Sequence, residues 1–314
     1  MYRIGIDLGG TNIVAGVVDE SYTLLSKARC KTAMPRPAEQ IMEDMARLAE
    51  QAAAEAGLSM AQIASVGIGC PGTCNRDSGV VEYSVNLQFD RVPLRTFMQQ
   101  RLGVPVYIEN DANAAALGEA LAGGAKGTEN CICITLGTGI GGGILIGGKL
   151  LCGHNFAGAE LGHIVIVKDG LPCDCGRKGC WEQYASATAL IRQTKAAMQQ
   201  HPGSGLWRLA PSLDQVDGRT AFDAMRAGDA AAKQVVDAFI EYLACGLVDI
   251  INIFQPEVLC IGGGICKEGE VLLAPLRRYI ERERYSKHSA RQTVLTTALL
   301  GNDAGVIGAA ALCD

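Results

Sequence analysis

The chain has 314 residues, of which 48% are apolar and 19% are charged, and its 33 acidic and 28 basic residues leave a formal net charge of −5. This length and apolar content can fill one large or two medium globular cores. The net charge is negative, so the chain lacks the surplus of basic residues expected of a nucleic-acid-binding protein. No uncharged apolar run approaches the roughly 18 residues of a membrane helix, and the short apolar start 1–7 does not resemble a signal peptide. We therefore expect a cytoplasmic globular protein without a nucleic-acid or membrane partner.

Strands and helices are predicted to alternate along the chain. Short or alternating apolar runs predict strands at 2–8, 13–18, 23–30, 63–69, 104–109, 130–136, 143–146, 258–261 and 294–298. Apolar residues at helical spacing predict helices at 39–56, 93–102, 112–122, 185–200, 229–254, 270–283 and 302–312. The stretch 201–218, rich in Pro, Gly, Ser and Asp, is predicted to be a loop. This alternation indicates an α/β fold with helices covering the sheets.

Thirteen cysteines are present, which is a high number for a chain of this composition. Outside residues 173–180 they stand singly in apolar surroundings, as in 130–134 and 259–261. This is typical of small reduced core residues rather than of a disulfide framework.

Three predicted strands run into glycine turns that could bind phosphate. The turn residues are Gly9, Gly10, Thr11 and Asn12; Gly137, Thr138 and Gly139; and Gly262, Gly263 and Gly264. Glycines let backbone N–H groups approach an anion, and threonine hydroxyls can donate to phosphate oxygens. Each turn could equally be an ordinary connection between elements.

The common nucleotide motifs are not matched. No Gly-Lys-Ser/Thr occurs at Walker spacing, and the one possible G-x-G-x-x-G, at 137–142, continues towards a strand instead of a helix. This disfavours an NAD-binding protein.

Residues 160–182 carry the densest group of potential metal ligands. These are His163, Cys173, Cys175 and Cys180, in the pattern His-x9-Cys-x-Cys-x4-Cys. One histidine and three cysteines can close a tetrahedral zinc site, and four protein ligands leave no open position, so the metal is predicted to be structural. The alternative is a set of reduced surface cysteines beside an unrelated histidine. A zinc site would also fix the neighbouring Glu160 and Glu182.

Four of these motifs together resemble the ROK family of bacterial sugar kinases. They are Asp7-Leu8-Gly9-Gly10-Thr11, Gly137-Thr138-Gly139, Glu160-x-Gly-His163 and the run Cys-x-Cys-Gly-x-x-Gly-Cys-x-Glu at 173–182. The motifs fall in the family's order and the resemblance covers the whole chain.

The resemblance implies an α/β fold of the sugar kinase/actin/Hsp70-like ATPase (ribonuclease H-like) type, with ATP in the cleft of a two-lobed protein. The smaller lobe would be residues 1–112, joined by a C-terminal helix 302–314, and the larger lobe 113–301 would carry the zinc loop and a dimerisation surface. A homodimer or a dimer of dimers is also implied. ROK repressors carry an added N-terminal helix-turn-helix domain, so a chain that starts on its first strand is expected to be a kinase.

Phosphoryl transfer to a sugar hydroxyl needs a base for the proton, a divalent cation and dipoles that hold the phosphates. Asp111 is the candidate base, because it stands between a predicted strand and helix, where its carboxylate should be ionised at neutral pH. The alternative is an N-cap for the next helix. The resemblance favours the base. Asp7 is expected to bind hydrated Mg²⁺, with a capping aspartate at the turn as the alternative.

The resemblance also implies a hexose pocket. Its expected ligands are Asn86, Asn110, Asp111, Glu160, His163 and Glu182, with the backbone of Pro71, Gly72 and Thr73 beside them. Such a pocket needs polar side chains that make paired hydrogen bonds to neighbouring hydroxyls. One ring nitrogen of His163 would bind zinc while the other faces a sugar hydroxyl.

We therefore expect an ATP-dependent hexose kinase of the glucokinase type that acts on the 6-hydroxyl, with Mg²⁺ and a structural Zn²⁺. Residues 69–72, 86–89 and 184–190 favour glucose within the family. Family glucokinases often have tryptophan where Phe89 stands, so N-acetylmannosamine, mannose, allose and fructose stay open as substrates. A non-catalytic sugar-sensing regulator is the alternative of a different class; it would need a DNA-binding segment or a lost base.

Overall fold

The backbone forms thirteen β-strands and ten α-helices in residues 1–313, the part of the chain described by a computed structural model. The strands are β1 Tyr2–Leu8, β2 Asn12–Val18, β3 Leu24–Lys31, β4 Ile63–Cys70, β5 Thr73–Asn75, β6 Val80–Ser84, β7 Phe89–Val92, β8 Val106–Asn110, β9 Cys131–Leu136, β10 Ile140–Ile146, β11 Lys149–Leu150, β12 Val258–Gly263 and β13 Val294–Thr297. The helices are α1 Ala38–Glu55, α2 Leu94–Leu102, α3 Asp111–Ala122, α4 Glu182–Ala185, α5 Ala187–Gln200, α6 Leu206–Leu209, α7 Thr220–Arg226, α8 Ala230–Phe254, α9 Glu270–Glu283 and α10 Ala304–Ala310. The predicted α/β class is confirmed.

Contacts divide the chain into two compact units. The first unit contains Met1–Cys133, Gly142–Ala159 and the chain from Ala298 onward, and the second contains Ile134–Gly141 and Glu160–Thr297. The division into lobes 1–112 and 113–301 stays a prediction.

The first sheet has the strand order β3-β2-β1-β4-β8. β1, β2 and β3 form an antiparallel meander, and β4 and β8 add to β1 in parallel. Apolar side chains of the central strands, among them Ile4, Ile6 and Ile68, are fully buried, and α1 packs its apolar face on the same core. The sheet therefore places the carboxyl ends of three parallel strands at one edge.

Helix α10 packs directly on the backbone of this sheet. A β-carbon on Gly5 would overlap the carbonyl oxygen of Val306, and one on Gly67 would overlap that of Ala309. Glycine is thus required at these two strand positions because the helix approaches too closely for any side chain.

A small antiparallel sheet, β5-β6-β7, was not predicted from the sequence. Its strands have three to five residues, too short to give a clear alternation of apolar and polar positions. It flanks the predicted sugar-pocket residues: Gly72 immediately precedes β5, and Asn86 lies in the turn from β6 to β7.

The remaining strands form a sheet of order β11-β10-β9-β12-β13, in which β12 and β13 of the second unit pair in parallel. The stretch 201–218 is more structured than the predicted loop, since it contains α6 and a 3-10 turn at Leu213–Gln215. Leu206, Ala210 and Val216 are buried there in a small core with Met198. These apolar residues are spaced too irregularly to be recognised as an element in the sequence.

Two general expectations can be compared with the described residues. Within residues 1–313 no disulfide joins any of the thirteen cysteines. Most of the cysteines outside 173–180 are buried as expected of core residues, but Cys245 is exposed. In the same range, every helix is too short or too polar to cross a lipid bilayer.

Candidate functional site

Two acidic side chains meet at the carboxyl edge of the first sheet. Asp7 is the penultimate residue of β1, and Asp111 follows the last residue of β8 and begins α3. The charge on Asp111 raises the pKa of Asp7, so the two carboxyl groups lie within electrostatic reach of each other. The first unit therefore brings together the residues predicted to bind magnesium and to act as the base.

Asp111 lies in the first turn of α3 but does not cap the helix. The cap is Asn110, whose Oδ1 accepts hydrogen bonds from the N–H groups of Ala112 at 2.9 Å and Asn113 at 3.2 Å. The alternative of Asp111 as the N-cap is thus wrong. Burial raises the pKa of Asp111, and this effect exceeds the opposing effect of backbone N–H donors. A raised pKa makes the ionised carboxylate a better proton acceptor.

Asp7 lies inside β1 and is partly buried. Burial raises its pKa to about 6, and the charge of Asp111 adds to the rise. Gly305 in α10 covers this carboxyl group, since a β-carbon on Gly305 would lie 2.9 Å from Cγ of Asp7. A buried carboxylate that is repelled by a second one would be stabilised by a divalent cation.

The other sugar-pocket residues predicted in the first unit lie at the same sheet edge or in the adjoining loops. Nδ2 of Asn110 donates to the carbonyl oxygen of Gly72 at 3.2 Å. Gly72 has a φ of 102°, which favours glycine, and it follows the buried Pro71. Asn86 lies beside the first glycine turn, 3.7 Å from where a β-carbon on Gly10 would be.

The first glycine turn is held by a backbone hydrogen bond of its own and by two hydrogen bonds from Thr32. Gly9 N–H donates to Asn12 O at 2.9 Å, and Thr32 fixes the turn from outside by donating from Oγ1 to Gly9 O at 2.6 Å and from N–H to Thr11 O at 2.9 Å. Gly10, Thr11 and Asn12 are exposed. The turn is therefore a tight β1–β2 connection that also presents open backbone to a ligand.

Glu109 was not singled out in the sequence, yet it organises the residues around the base. Its side chain is only 1% exposed. Oε1 accepts from the Asn110 N–H at 2.8 Å and from Asn113 Nδ2 at 3.0 Å, while Oε2 accepts from Cys152 Sγ at 3.2 Å and pairs with Arg76 at 3.4 Å. The only signal in the sequence was an acidic residue two positions before Asp111.

In the second unit, the two remaining glycine turns lie against each other. A β-carbon on Gly263, whose φ is 106°, would overlap the carbonyl oxygen of Leu136, the residue before Gly137. The turn at Gly137 closes through its N–H, which donates to Gly139 O at 3.0 Å, and Gly137 O accepts from Ala187 N at 2.9 Å. The second unit thus places both predicted phosphate turns side by side.

The four predicted zinc ligands also come together in the second unit. Their ligand atoms all lie within 4.8 Å of one another. His163 Nδ1 is 3.6 Å from Cys173 Sγ, and Cys175 Sγ is 3.6 Å from Cys180 Sγ. A tetrahedron with Zn–S near 2.3 Å and Zn–N near 2.0 Å has edges of about 3.6–3.8 Å. The donor set fits Zn²⁺, and the two 3.6 Å distances match the edges of such a tetrahedron, with Nδ1 of His163 facing Cys173.

The two glutamates that flank the metal ligands have different surroundings. Glu160 is exposed and precedes the 3-10 turn Leu161–His163, with its carbonyl oxygen accepting from His163 N at 3.1 Å. Glu182 begins α4, and its Oε2 accepts from the Ile140 N–H at 2.9 Å. A β-carbon on Gly139 would overlap this oxygen. One carboxylate oxygen of Glu182 is therefore engaged with the backbone of a glycine turn, a contact that the sequence did not predict.

Comparison with known proteins shows a relationship along the whole chain. The model of the ROK family matches residues 3–314. Glucokinases of Streptomyces coelicolor and Thermotoga maritima are 41% and 38% identical, each over 98% of this chain and 96% of its own length. A ROK family glucokinase from Streptomyces griseus, solved in complex with glucose and AMPPNP, is 39% identical and superimposes with a TM-score of 0.81 over 99% of both chains. This similarity confirms the sugar kinase/actin-like ATPase fold. The chain belongs to the ROK family.

Proposed function

We propose that this protein is an ATP-dependent hexose kinase that transfers the γ-phosphoryl group of ATP to the 6-hydroxyl of glucose. The observation that carries the proposal is the pair of partly buried carboxyl groups at the carboxyl edge of the first sheet. Asp111 has a raised pKa and is not the N-cap of α3, and Asp7 lies within electrostatic reach of it. The glucokinases among the relatives support this activity and glucose as the substrate.

Asp111 accepts the proton of the sugar 6-hydroxyl while the hydroxyl oxygen forms a bond to the γ-phosphorus of ATP. The bond between the γ-phosphorus and the bridging oxygen breaks, and ADP leaves with that oxygen. General-base help of this kind contributes about 10²–10⁴ in rate. Glu109 accepts a hydrogen bond from the backbone N–H of Asn110, which helps to keep the start of α3 and the base in place.

Phosphate charge needs compensation in this reaction. Asp7 would hold a hydrated Mg²⁺, which neutralises charge on the transferred group when it is bound. The proposed nucleotide contacts are Gly9, Gly10, Thr11 and Asn12 in the first unit and Gly137, Thr138, Gly139, Gly262, Gly263 and Gly264 in the second. Their support is the exposure of most of these residues, Gly262 being buried, and the adjacency of the last two turns.

The proposed sugar ligands are Asn86, Asn110, Asp111 and the backbone of Pro71 and Gly72 in the first unit, and Glu160, His163 and Glu182 in the second. Asn110 already uses Oδ1 as the helix cap and Nδ2 on Gly72, so its side chain is pre-positioned by the protein. His163 offers Nε2 to the sugar, since Nδ1 faces the cysteines.

A structural Zn²⁺ is proposed at His163, Cys173, Cys175 and Cys180. Four ligands leave no position for water, so the metal would hold the loop 163–180 and take no part in bond making. We also propose that the enzyme is a cytoplasmic homodimer or dimer of dimers.

The test is a coupled assay of ADP release with glucose, mannose, fructose, allose and N-acetylmannosamine, each with Mg-ATP. We expect turnover that depends on hexose, is highest with glucose and is lost in Asp111→Asn. If calorimetry shows hexose binding but no ADP is formed with any of the sugars, the kinase activity is contradicted and a sugar-sensing regulator is favoured. Preference for another hexose would retain the kinase and change its substrate.

A further inference from the structure

The second unit contains a continuous structural path from the metal ligands to a glycine turn. The path starts at Cys180 and runs through the next two residues, Trp181 and Glu182, to the backbone of Ile140 at the end of the turn 137–139. Each step is a direct contact.

Trp181 fixes the middle of this path. Its side chain is fully buried, and its Nε1 donates to Tyr242 O in α8 at 2.8 Å. A β-carbon on Gly246 would overlap the indole ring, so α8 leaves room for it. Trp181 N–H also donates to Ile164 O at 2.8 Å, next to the metal ligand His163. The segment that follows Cys180 is therefore tied both to α8 and to the other side of the metal cluster.

Glu182 makes the last contact. Its Oε2 accepts from the Ile140 N–H at 2.9 Å. A β-carbon at position 139 would overlap this oxygen, so the contact needs glycine there. Five residues further on, Ala187 N–H donates to Gly137 O at 2.9 Å. The turn is thus held at both ends by the chain that leaves the metal cluster, and only one of these contacts is made by a side chain.

We infer that Glu182 is a positioning residue that transmits the order of the zinc site to the turn 137–139, so that metal occupancy sets affinity for the nucleotide as well as for the sugar. The inference rests on the proposed function, in which this turn contacts the phosphates of ATP. A turn held in one conformation binds more tightly because less freedom is lost on binding. Zinc fixes Cys180, and Glu182 carries that constraint to the N–H of Ile140.

The experiment measures the dissociation constant of Mg-AMPPNP by calorimetry without sugar, for zinc-loaded and chelator-treated protein. The variants are Glu182→Ala, which removes the acceptor, and Glu182→Gln, which keeps an oxygen in its place. Glu281→Ala, an exposed carboxylate of the same unit, is the matched control. Elemental analysis reports zinc in each sample. Trp181 fluorescence in a Trp207→Phe background reports the segment itself, since the chain has two tryptophans.

We expect zinc removal to weaken Mg-AMPPNP binding about tenfold in the wild type and in Glu281→Ala, because a hydrogen bond to a charged group is typically worth this much or more. Zinc-loaded Glu182→Ala should show the same loss with its metal retained, and Glu182→Gln should bind within about threefold of the wild type. In Glu182→Ala, zinc removal should have little further effect, because the connection is already cut.

Equal weakening by zinc removal in Glu182→Ala and in the wild type would overturn the inference, and so would a Glu182→Gln variant as weak as Glu182→Ala. If the chelator unfolds the protein, the zinc-loaded variants decide: a Glu182→Ala variant that binds Mg-AMPPNP as tightly as the wild type, or a Glu182→Gln variant as weak as Glu182→Ala, would overturn the inference. If the zinc-loaded wild type does not bind Mg-AMPPNP, the proposed kinase function is contradicted, and so is the proposed role of Glu182.

Discussion

The side chain of Asn110 caps helix α3, while the carboxylate of Asp111 in the next position shares only one of the two capped N–H groups. Capping and catalysis are therefore divided between two adjacent residues. We therefore expect the start of α3 to tolerate loss of the Asp111 charge better than loss of the Asn110 amide.

We expect Asp111→Asn to lower turnover by at least about 10²-fold while hexose affinity changes by less than about tenfold, because the lost group acts on the proton in the transition state. Steady-state ADP release and calorimetry with glucose measure the two quantities. Asn110→Ala serves as the comparison and should lower the free energy of unfolding by about 1 kcal/mol through loss of the cap. Intact turnover in Asp111→Asn would show that another group takes the proton.

Asp7→Asn should stabilise the metal-free protein while abolishing activity. The pKa of Asp7 is raised from 3.8 to about 6 in the folded state, so the folded protein binds this proton more tightly than the unfolded chain does. The contribution of Asp7 to the free energy of unfolding is therefore fully present at low pH and is lost as pH rises through about 4 to 6. The loss amounts to about 3 kcal/mol at neutral pH. Urea denaturation should show a gain for Asp7→Asn at pH 7.5 that shrinks towards pH 4. A variant less stable than the wild type at pH 7.5 would show that the ionised Asp7 side chain does not destabilise the fold.

The two carboxyl groups should titrate as a coupled pair. In Asp111→Asn, the pKa of Asp7 should fall from about 6 without returning to its ordinary value, because burial is the larger cause of the rise and the charge of Asp111 the smaller. Carboxyl ¹³C NMR of aspartate-labelled protein without metal measures this. An unchanged Asp7 titration would mean that the two groups do not sense each other.

Zinc should be present at one ion per chain, and Cys175→Ser should lose both the metal and sugar affinity. The loop 163–180 carries His163 directly and ends two residues before Glu182, so an unfolded loop displaces two proposed sugar ligands. Elemental analysis and glucose calorimetry give the two values. Cys245→Ser, an exposed cysteine in α8 of the same unit, is the control and should change neither. Normal glucose binding by zinc-free protein would disprove the link.

Glucose should exceed N-acetylmannosamine by at least about tenfold in kcat/KM, which needs only about 1.4 kcal/mol of differential transition-state binding. An acetamido group at carbon 2 needs a polar partner and extra room. The Gly72 carbonyl already accepts from Asn110, and a β-carbon on Gly72 would overlap the carbonyl oxygen of Tyr83. Comparable efficiencies would mark the enzyme as a broad hexose or amino-sugar kinase.

The sequence predicted the elements of both units well where periodicity was long. α8 was expected at 229–254 and occupies Ala230–Phe254, and α9 matches its predicted range. β5 to β7 were missed because three to five residues give no period, and α6 was missed because its burial depends on Met198 and Val216, which lie outside it.

Within the candidate site, the sequence identified residue types but not the hydrogen bonds that divide their work. The clustering of three cysteines and a histidine was readable because metal ligands have few chemical alternatives. The cap at Asn110, the support from Glu109 and the contact of Glu182 with Ile140 each depend on which oxygen faces which N–H group. Such assignments follow from tertiary packing and have no local signature.

The close packing of α10 on Gly5 and Gly67 also bears on how the chain folds during synthesis. The backbone of β1 and β4 is covered by residues 304–310, which leave the ribosome only after the whole second unit. The first unit cannot finish folding when its own strands emerge, and its sheet waits through the synthesis of the whole second unit at roughly 5–20 residues per second. A nascent chain stalled before residue 304 would leave this face of β1 and β4 without its covering helix.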